Sequence, residues 1–198
     1  MERVSLERFV DFMLTVGTPR ITGVREWKVR RYDHLTNFYG PLREAIRTMH
    51  VKGIPATSLD TFLTTLGDER KARIFPRLVE HYQSFLESQP LRWFVPPSAL
   101  LPVGDIEIEV KPELGLEIGG VPHILTMHFR GALFAPKRVN LVIGILTCAL
   151  GSTRSSPVFG VLDVLRARVL TLTSAPNPKL GLLMRGEAAA FSTIYAAV

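Results

Sequence analysis

Five carboxylates occur within the short stretch DIEIEVKPELGLEI. Asp105, Glu107 and Glu109 alternate with aliphatic residues, which places them on one face of a predicted strand, and Glu113 and Glu117 follow on the next strand. Carboxylates are the ligands that Mg²⁺ takes in proteins, so these acids are candidates for metal-assisted chemistry. Acids are also typical of the solvated or edge face of a sheet, where they deter unwanted strand pairing. We favour this second interpretation.

A basic segment near the N-terminus, RITGVREWKVRRY, combines cations with aromatic rings. Arginine and lysine can contact phosphate, and aromatic rings can stack on exposed bases. The candidate nucleic-acid-binding residues of this segment are Arg25, Trp27, Lys28, Arg30, Arg31 and Tyr32. The alternative is that Trp27, Val29 and Tyr32 pack inward while the cations face water. The alternating spacing of Trp27 and Val29 favours this alternative.

A second cationic cluster, DERKARIFPR, adds Arg70, Lys71 and Arg73 to the candidates. The preceding Asp68 and Glu69 are typical of a helix N-terminus, where acids oppose the helix dipole. This cluster contributes to a binding surface only if folding brings it beside the first one.

The spacing of apolar residues divides the chain into a helical part and a sheet part. Residues 1–90 follow a helical period, with Ser5 as the expected N-cap of the first helix. Residues 91–103 form a proline-rich linker, and residues 104–198 alternate as strands do, in the order β-β-β-α-β-β-α. The sequence therefore predicts an α+β fold: a helical N-terminal region and a mixed sheet core, which can also form one integrated domain.

Several local signals accompany this pattern. Gly119-Gly120 is typical of a two-residue hairpin, because glycine accepts positive φ at both positions. The apolar run from Lys137 to Leu150 predicts a buried helix, and a last helix is expected over Glu187–Val198. The single cysteine, Cys148, excludes an internal disulfide, and its apolar surroundings predict that it is buried.

The element order from about Ile74 to Leu172 resembles the core of the PD-(D/E)XK nucleases. A helix, three antiparallel strands, a second helix and a further strand follow one another, and the second strand carries an acid in PELGL. The resemblance implies that Glu113 or Glu117 would hold Mg²⁺, with Asp163 as a further candidate.

The resemblance also implies an acid and a lysine two residues apart on the third strand. At that place the chain has Thr126-Met127-His128 or His128-Phe129-Arg130, and neither triplet contains an acid. Arginine is a poor substitute for a lysine that positions water. We therefore expect a divergent and inactive relative, with no cofactor unless the nuclease interpretation holds, in which case Mg²⁺ is required.

The totals are consistent with a basic protein of one domain. The chain has 198 residues and a formal net charge of +6, which favours anionic partners, nucleic acid first. Its apolar runs are too short for a membrane span, and the N-terminus lacks the apolar core of a signal peptide. We expect a cytoplasmic protein with no membrane partner.

The leading hypothesis is a non-catalytic protein that associates with DNA or RNA. The alternative is a protein-interaction or structural subunit, or a homo-oligomer, in which the strip LRWFVPP and the C-terminal helix face a partner. A third hypothesis is a Mg²⁺-dependent nuclease that uses Glu113, Glu117 and Asp163.

Overall fold

The computed structural model describes residues 1–29, 38–130, 135–152, 156–172 and 177–198. The helices in these ranges are α1 (Leu6–Leu14), α2 (Thr18–Val29), α3 (Gly40–Lys52), α4 (Ser58–Thr64), α5 (Glu69–Glu87), α6 (Pro136–Leu150) and α7 (Leu180–Ala197). The strands are β1 (Glu2–Ser5), β2 (Leu91–Phe94), β3 (Ala99–Val103), β4 (Ile106–Val110), β5 (Leu114–Ile118), β6 (Val121–His128), β7 (Val158–Asp163) and β8 (Arg168–Thr171). A short 3-10 turn, Val164–Arg166, joins β7 to β8.

The strands form two mixed sheets. The three-stranded sheet has the order β1-β4-β3, with β1 parallel and β3 antiparallel to β4. The five-stranded sheet has the order β2-β5-β6-β7-β8, and only its β6–β7 pair is parallel. Helix α6 makes the crossover between β6 and β7, as a parallel pair requires. The α+β class is confirmed, and from β4 onward the elements follow the predicted order.

The five-stranded sheet separates two hydrophobic clusters. Leu114, Leu116 and Leu125 are fully buried on the face covered by α3, α4 and α5. Ile124 and Val161 face the opposite side, where they pack with α1, α6, α7 and the three-stranded sheet. Because side chains alternate along a strand, both faces of the sheet can be apolar only when both are covered.

The segment 91–103, predicted to be a linker, forms β2 and β3 instead. Pro96 and Pro97 lie in the connection between these strands, and Pro102 lies within β3. Strand β3 is at the edge of its sheet, where the missing proline amide need not break a ladder hydrogen bond. The predicted first strand of the core, β4, belongs to the three-stranded sheet, so β2 is the neighbour of β5.

Several local predictions are confirmed. The Ser5 side chain accepts a hydrogen bond from the Arg8 amide and caps α1. Gly119 and Gly120 turn between β5 and β6 with φ of 57° and 81°. Two predictions are wrong: α7 begins at Leu180, seven residues before the expected Glu187, and Cys148 is exposed. Helix α6 is buried over most of its surface, and Cys148 lies on the side that remains open.

Gly115 provides a test of the β2–β5 contact. A Cβ atom on Gly115 would lie 2.4 Å from the Phe94 carbonyl oxygen and 2.7 Å from the Phe94 ring. We expect Gly115→Ala to lower the free energy of unfolding by about 1–3 kcal/mol, because the opposing backbone cannot move aside cheaply. Urea denaturation followed by circular dichroism measures the change.

Gly186→Ala is the matched control for this substitution. Gly186 lies inside α7, and a Cβ atom there would meet nothing within 4 Å. Alanine is expected to stabilise this helix by about 0.5–1 kcal/mol. Equal stability changes in the two variants would contradict the described pairing of β2 with β5.

Candidate functional site

A polar cleft of about 270 Å³ lies between α1, α3, β6 and the start of α6. We call it the β6 cleft. Its polar lining comes from separate elements of the chain: Glu7, Asp11, Tyr39, Arg43, Thr126, His128, Arg130 and Arg138. A second cavity, of about 180 Å³, adjoins the cleft and shares Glu7, Arg43 and Thr126 with it.

Strand pairing places Glu113 in the second cavity, beside the β6 cleft. The Glu113 amide donates a hydrogen bond to the Leu125 carbonyl oxygen, so Glu113 lies opposite the middle of β6. Thr126 and His128 are two residues apart on β6 and therefore project to the same face. One acid thus stands beside the place where the sequence analysis expected an acid and a lysine.

Arg43 neutralises this acid. Its guanidinium contacts Glu113 Oε1 and donates to Glu7 Oε1 at 2.9 Å. The other carboxylate oxygen of Glu113 accepts a hydrogen bond from the Met127 amide at 3.0 Å. Burial raises the pKa of Glu113 to about 7, although the Arg43 charge acts to lower it. The Glu113 carboxylate is therefore occupied by protein donors and not offered to a cation.

The side chains of the cleft are also unsuited to binding a metal ion. Within the described ranges, no group of three or more histidine, cysteine, aspartate or glutamate side chains could hold an ion. A hard divalent cation needs oxygen ligands, and here the oxygens pair with arginine. Arg43 contacts Glu113 and Glu7, and Arg138 contacts Asp11.

The mouth of the β6 cleft is electropositive. Helix α6 has no side-chain cap and no acid in its first turn, which carries Lys137 and Arg138. The exposed Arg130 follows β6 on the other side of the mouth. The helix dipole adds partial positive charge at this end, where an anion is stabilising and a cation is not. Cations placed at a positive helix end are suited to an anionic ligand.

The predicted α2 residues are divided by the fold. Arg25 is exposed, and the Trp27 ring packs against Phe191 and Tyr195, with centroids 5.5 and 5.2 Å away. Lys28 Nζ donates to the carbonyl oxygens of Tyr195 and Val198 at 3.0 and 2.6 Å. Trp27 thus packs inward as in the alternative interpretation, whereas Val29 is 80% exposed. The segment is helical, so a two-residue alternation does not apply.

The remaining members of the first basic segment, Arg30, Arg31 and Tyr32, lie outside the described residues. Their predicted contacts with nucleic acid stay predictions.

The second basic cluster lies at the start of α5. Asp68 caps this helix by accepting a hydrogen bond from the Lys71 amide at 2.9 Å. The Arg70 guanidinium lies over the Phe38 ring, 5.1 Å from its centroid, and Arg73 is exposed. Helix α5 packs in one hydrophobic cluster and α2 in the other. The five-stranded sheet therefore stands between the two basic clusters.

The other acids suggested for chemistry are separated from Glu113. Glu117 pairs with the exposed Arg92 at 2.6 Å. Asp163 is fully buried at the end of β7, and its Oδ2 accepts from Arg166 at 2.9 Å. Neither residue lines the β6 cleft. The acids of β4 belong to the three-stranded sheet, where Glu107 pairs with Arg3 and Glu109 with Lys111.

Sequence reasoning missed Arg43, Arg138, Glu7 and Asp11. These residues come from three helices, and no local motif joins them. One signal was present for Arg138: the run APKR begins a predicted helix with two cations and no acid, contrary to the usual preference.

The chain was compared with protein-family models, with curated proteins and with solved structures, and nothing matches in any of the three.

None of the helices in the described ranges is both long and apolar enough to cross a membrane.

The raised pKa of Glu113 predicts how stability changes with pH. The pKa of Glu113 is about 7 in the folded protein and near 4.5 in the unfolded chain, so the folded protein binds this proton more tightly. Proton binding by Glu113 therefore stabilises the fold fully below about pH 4.5, and this stabilisation is lost as the pH rises through about 7. The Glu113→Gln variant has no titrating group at this position and therefore lacks this stabilisation. The stability of the natural protein relative to Glu113→Gln should therefore fall by about 1–3 kcal/mol between about pH 5 and pH 8.

Urea denaturation of both proteins at the two pH values measures this difference. Glu117→Gln is the control, since Glu117 lies on the same strand but pairs with an exposed arginine, and such surface pairs contribute little. A stability difference for Glu113→Gln that rises with pH would show that Glu113 is not held in a buried environment.

Proposed function

We propose that the protein associates with nucleic acid by binding its phosphate backbone at the mouth of the β6 cleft. The observation that carries this proposal is the group of Arg130, Lys137 and Arg138 around the uncapped N-terminus of α6. Arginine binds phosphate through two parallel hydrogen bonds, and the helix end supplies further positive potential. The net charge of +6 favours approach of a polyanion.

We further propose that the five-stranded sheet is a divergent PD-(D/E)XK-type core. The order α5–β2–β5–β6–α6–β7 supports this, with antiparallel pairing up to β6 and a parallel β6–β7 pair. Strands β3 and β4 are then an insertion between the first and second core strands. Glu113 stands just before the second core strand, and Thr126 and His128 lie on the third. Thr126 lines both cavities, whereas Glu113 lines the second cavity and His128 lines the β6 cleft.

This core is proposed to bind and not to cleave. Arg43 and the Met127 amide occupy the Glu113 carboxylate, and β6 presents a hydroxyl and an imidazole in place of an acid and a lysine. Two-metal cleavage of a phosphodiester needs carboxylates free to bind the ions. The corresponding experiment is incubation with plasmid and Mg²⁺ or Mn²⁺, in which the plasmid should remain intact. Cleavage that Glu113→Ala abolishes would support the nuclease hypothesis instead.

Removing two cations from the mouth of the cleft tests the site. We expect Arg130→Gln/Lys137→Gln to weaken binding of a labelled duplex and to reduce the slope of log K against log salt by up to about 2, because each phosphate contact contributes close to 0.9. Fluorescence anisotropy across a salt series measures both quantities.

Arg73→Gln/Arg77→Gln is a charge-matched control. Both residues are exposed on α5, which packs on the opposite face of the sheet. This variant loses the same formal charge, so only the location of the cations differs. Equal loss of affinity in the two double variants would contradict the proposed site. An affinity that does not change with salt concentration would contradict the proposed function.

A second candidate function is self-association through α7. Leu182 and Leu183 are 65% and 45% exposed on this helix, which the sequence analysis named as a partner-facing element. Two adjacent exposed leucines give α7 an apolar surface on which a second copy of the chain could pack. Light scattering coupled to size exclusion should then report a dimer that Leu182→Glu dissociates, and a monomer at high concentration would exclude this candidate.

A further inference from the structure

A third cavity, of about 280 Å³, lies between α1 and α2, with α7 at its base. We call it the α1–α2 pocket. Phe12, Trp27 and Phe191 form its aromatic wall, and Arg8, Arg20 and Glu26 are among its charged lining residues. Small-molecule sites combine an apolar wall with a few polar groups in this way, and this pocket lies near the lower end of their size range.

The aromatic wall is held in place by its own contacts. Phe12 meets Phe191 edge-to-face, with ring centroids 5.2 Å apart. Trp27 meets Phe191 at an interplanar angle of 61° and only partly buries its ring. Phe12 and Phe191 are only 6% and 3% exposed, and the Arg20 guanidinium lies over the Phe12 ring. The half-buried Trp27 is therefore the part of this wall on which a flat ring can lie, as bases do on aromatic side chains.

Two of the charged groups near the pocket already have partners. Arg20 donates to the Phe12 carbonyl oxygen and to Glu187 Oε2, the latter at 2.5 Å. Asp11, which also lines the pocket, pairs with Arg138. These ion pairs fix the position of α1 against α2, α6 and α7.

Arg8 and Glu26 differ from these groups. Within the described part of the chain, neither side chain has an ion pair, and the Arg8 guanidinium lies 5.8 Å from the centre of the Trp27 ring. Partial burial lowers the pKa of Arg8, which means that its charge is poorly compensated by the protein. A cation and an acid that form no ion pair among the described residues, beside an aromatic ring, are suited to a ligand with an anion, a flat ring and a donor group.

We propose that the α1–α2 pocket binds one unpaired nucleotide, with its base against the aromatic wall and its phosphate on Arg8. Glu26 would accept a hydrogen bond from an exocyclic amino group, so cytosine is preferred over thymine. This inference rests on the proposed function and adds to it a contact that only a single strand can make.

The position of Asp11 supports a continuous path for such a strand. Asp11 lines both the β6 cleft and the α1–α2 pocket, and Glu7 and Arg8 line one each. The two cavities thus lie on adjoining sides of α1. A strand whose backbone contacts Arg130 and Arg138 would reach the pocket by passing the Asp11–Arg138 pair, because Asp11 lines both cavities.

The test compares Arg8→Gln with Arg25→Gln. Both variants lose one arginine from the same part of the protein, but Arg25 is exposed on α2 and does not line the pocket. Binding of labelled oligo(dC), oligo(dT), oligo(rC) and a duplex is measured by anisotropy. We expect Arg8→Gln to weaken oligo(dC) binding at least about tenfold without changing duplex binding, and Arg25→Gln to leave their ratio unchanged.

Further binding measurements test which base and which sugar the pocket prefers. Glu26→Gln should remove a preference of about fivefold or more for oligo(dC) over oligo(dT). Equal binding of oligo(rC) and oligo(dC) supports a pocket that contacts only base and phosphate, and a preference between them identifies the natural strand as RNA or DNA. Quenching of Trp27 by dCMP, in a Trp93→Phe background, tests the pocket without the cleft.

The pocket inference and the proposed function can fail separately. If Arg8→Gln weakens single strands and duplex equally and dCMP does not quench Trp27, the pocket inference is overturned while the cleft proposal stands. If the natural protein binds neither single strands nor duplex, the proposed function is overturned as well.

Discussion

Coverage of both faces of the five-stranded sheet is the constraint on which the structure depends. Strands β5, β6 and β7 carry apolar side chains on both sides, so helices must pack on each face to remove them from water. Helices α3 and α5 cover one face, and α1 and α6 cover the other. Any polar group that these strands carry toward a covered face must find a partner inside the protein.

The buried polar groups follow from this constraint. His50 and Tyr82 share a hydrogen bond of 2.6 Å, and burial lowers the pKa of His50 to about 4 and raises that of Tyr82, so both stay uncharged. Glu113 is compensated by Arg43, and Asp163 by Arg166. Removing one partner of such a pair leaves the other charge buried and unpaired, which lowers the free energy of unfolding by about 3–5 kcal/mol in comparable cases.

The mouth of the β6 cleft departs from this rule of local compensation. Arg130, Lys137 and Arg138 gather at a helix end that is itself positive, where Asp11 pairs with Arg138 and Glu7 also acts on the Arg138 charge. Arg8 lines the neighbouring pocket and forms no ion pair among the described residues. The cations at this helix end, in a protein whose buried acids Glu113 and Asp163 each pair with an arginine, are the physical basis of the proposed interaction with nucleic acid.

Elements with strong local patterns could be predicted from the sequence. The alternation in β4, the Gly119-Gly120 turn, the Ser5 cap and the apolar run of α6 each depend on neighbouring residues only. Strand β1 was missed because it directly precedes the Ser5 cap of α1 in a region predicted to be helical. Strands β2 and β3 were missed because the prolines around them indicate a linker, and β3 contains a proline that an edge strand tolerates. The acid Glu113 was named in advance, but its arginine partner lies 70 residues earlier and could not be inferred from spacing.

By itself, the sequence determined the α+β class, the order of elements from β4 to α7 and the excess of positive charge, since these follow from composition and short-range period. Tertiary structure alone decided which cations meet. In the folded protein, Trp27 and Lys28 contact α7, and the start of α5 lies on the other side of the sheet. Residues of α1, α3, β6 and α6 line one cleft. The reason is that side chains far apart in the chain become neighbours only through the packing of helices on a shared sheet, and no local pattern encodes that packing.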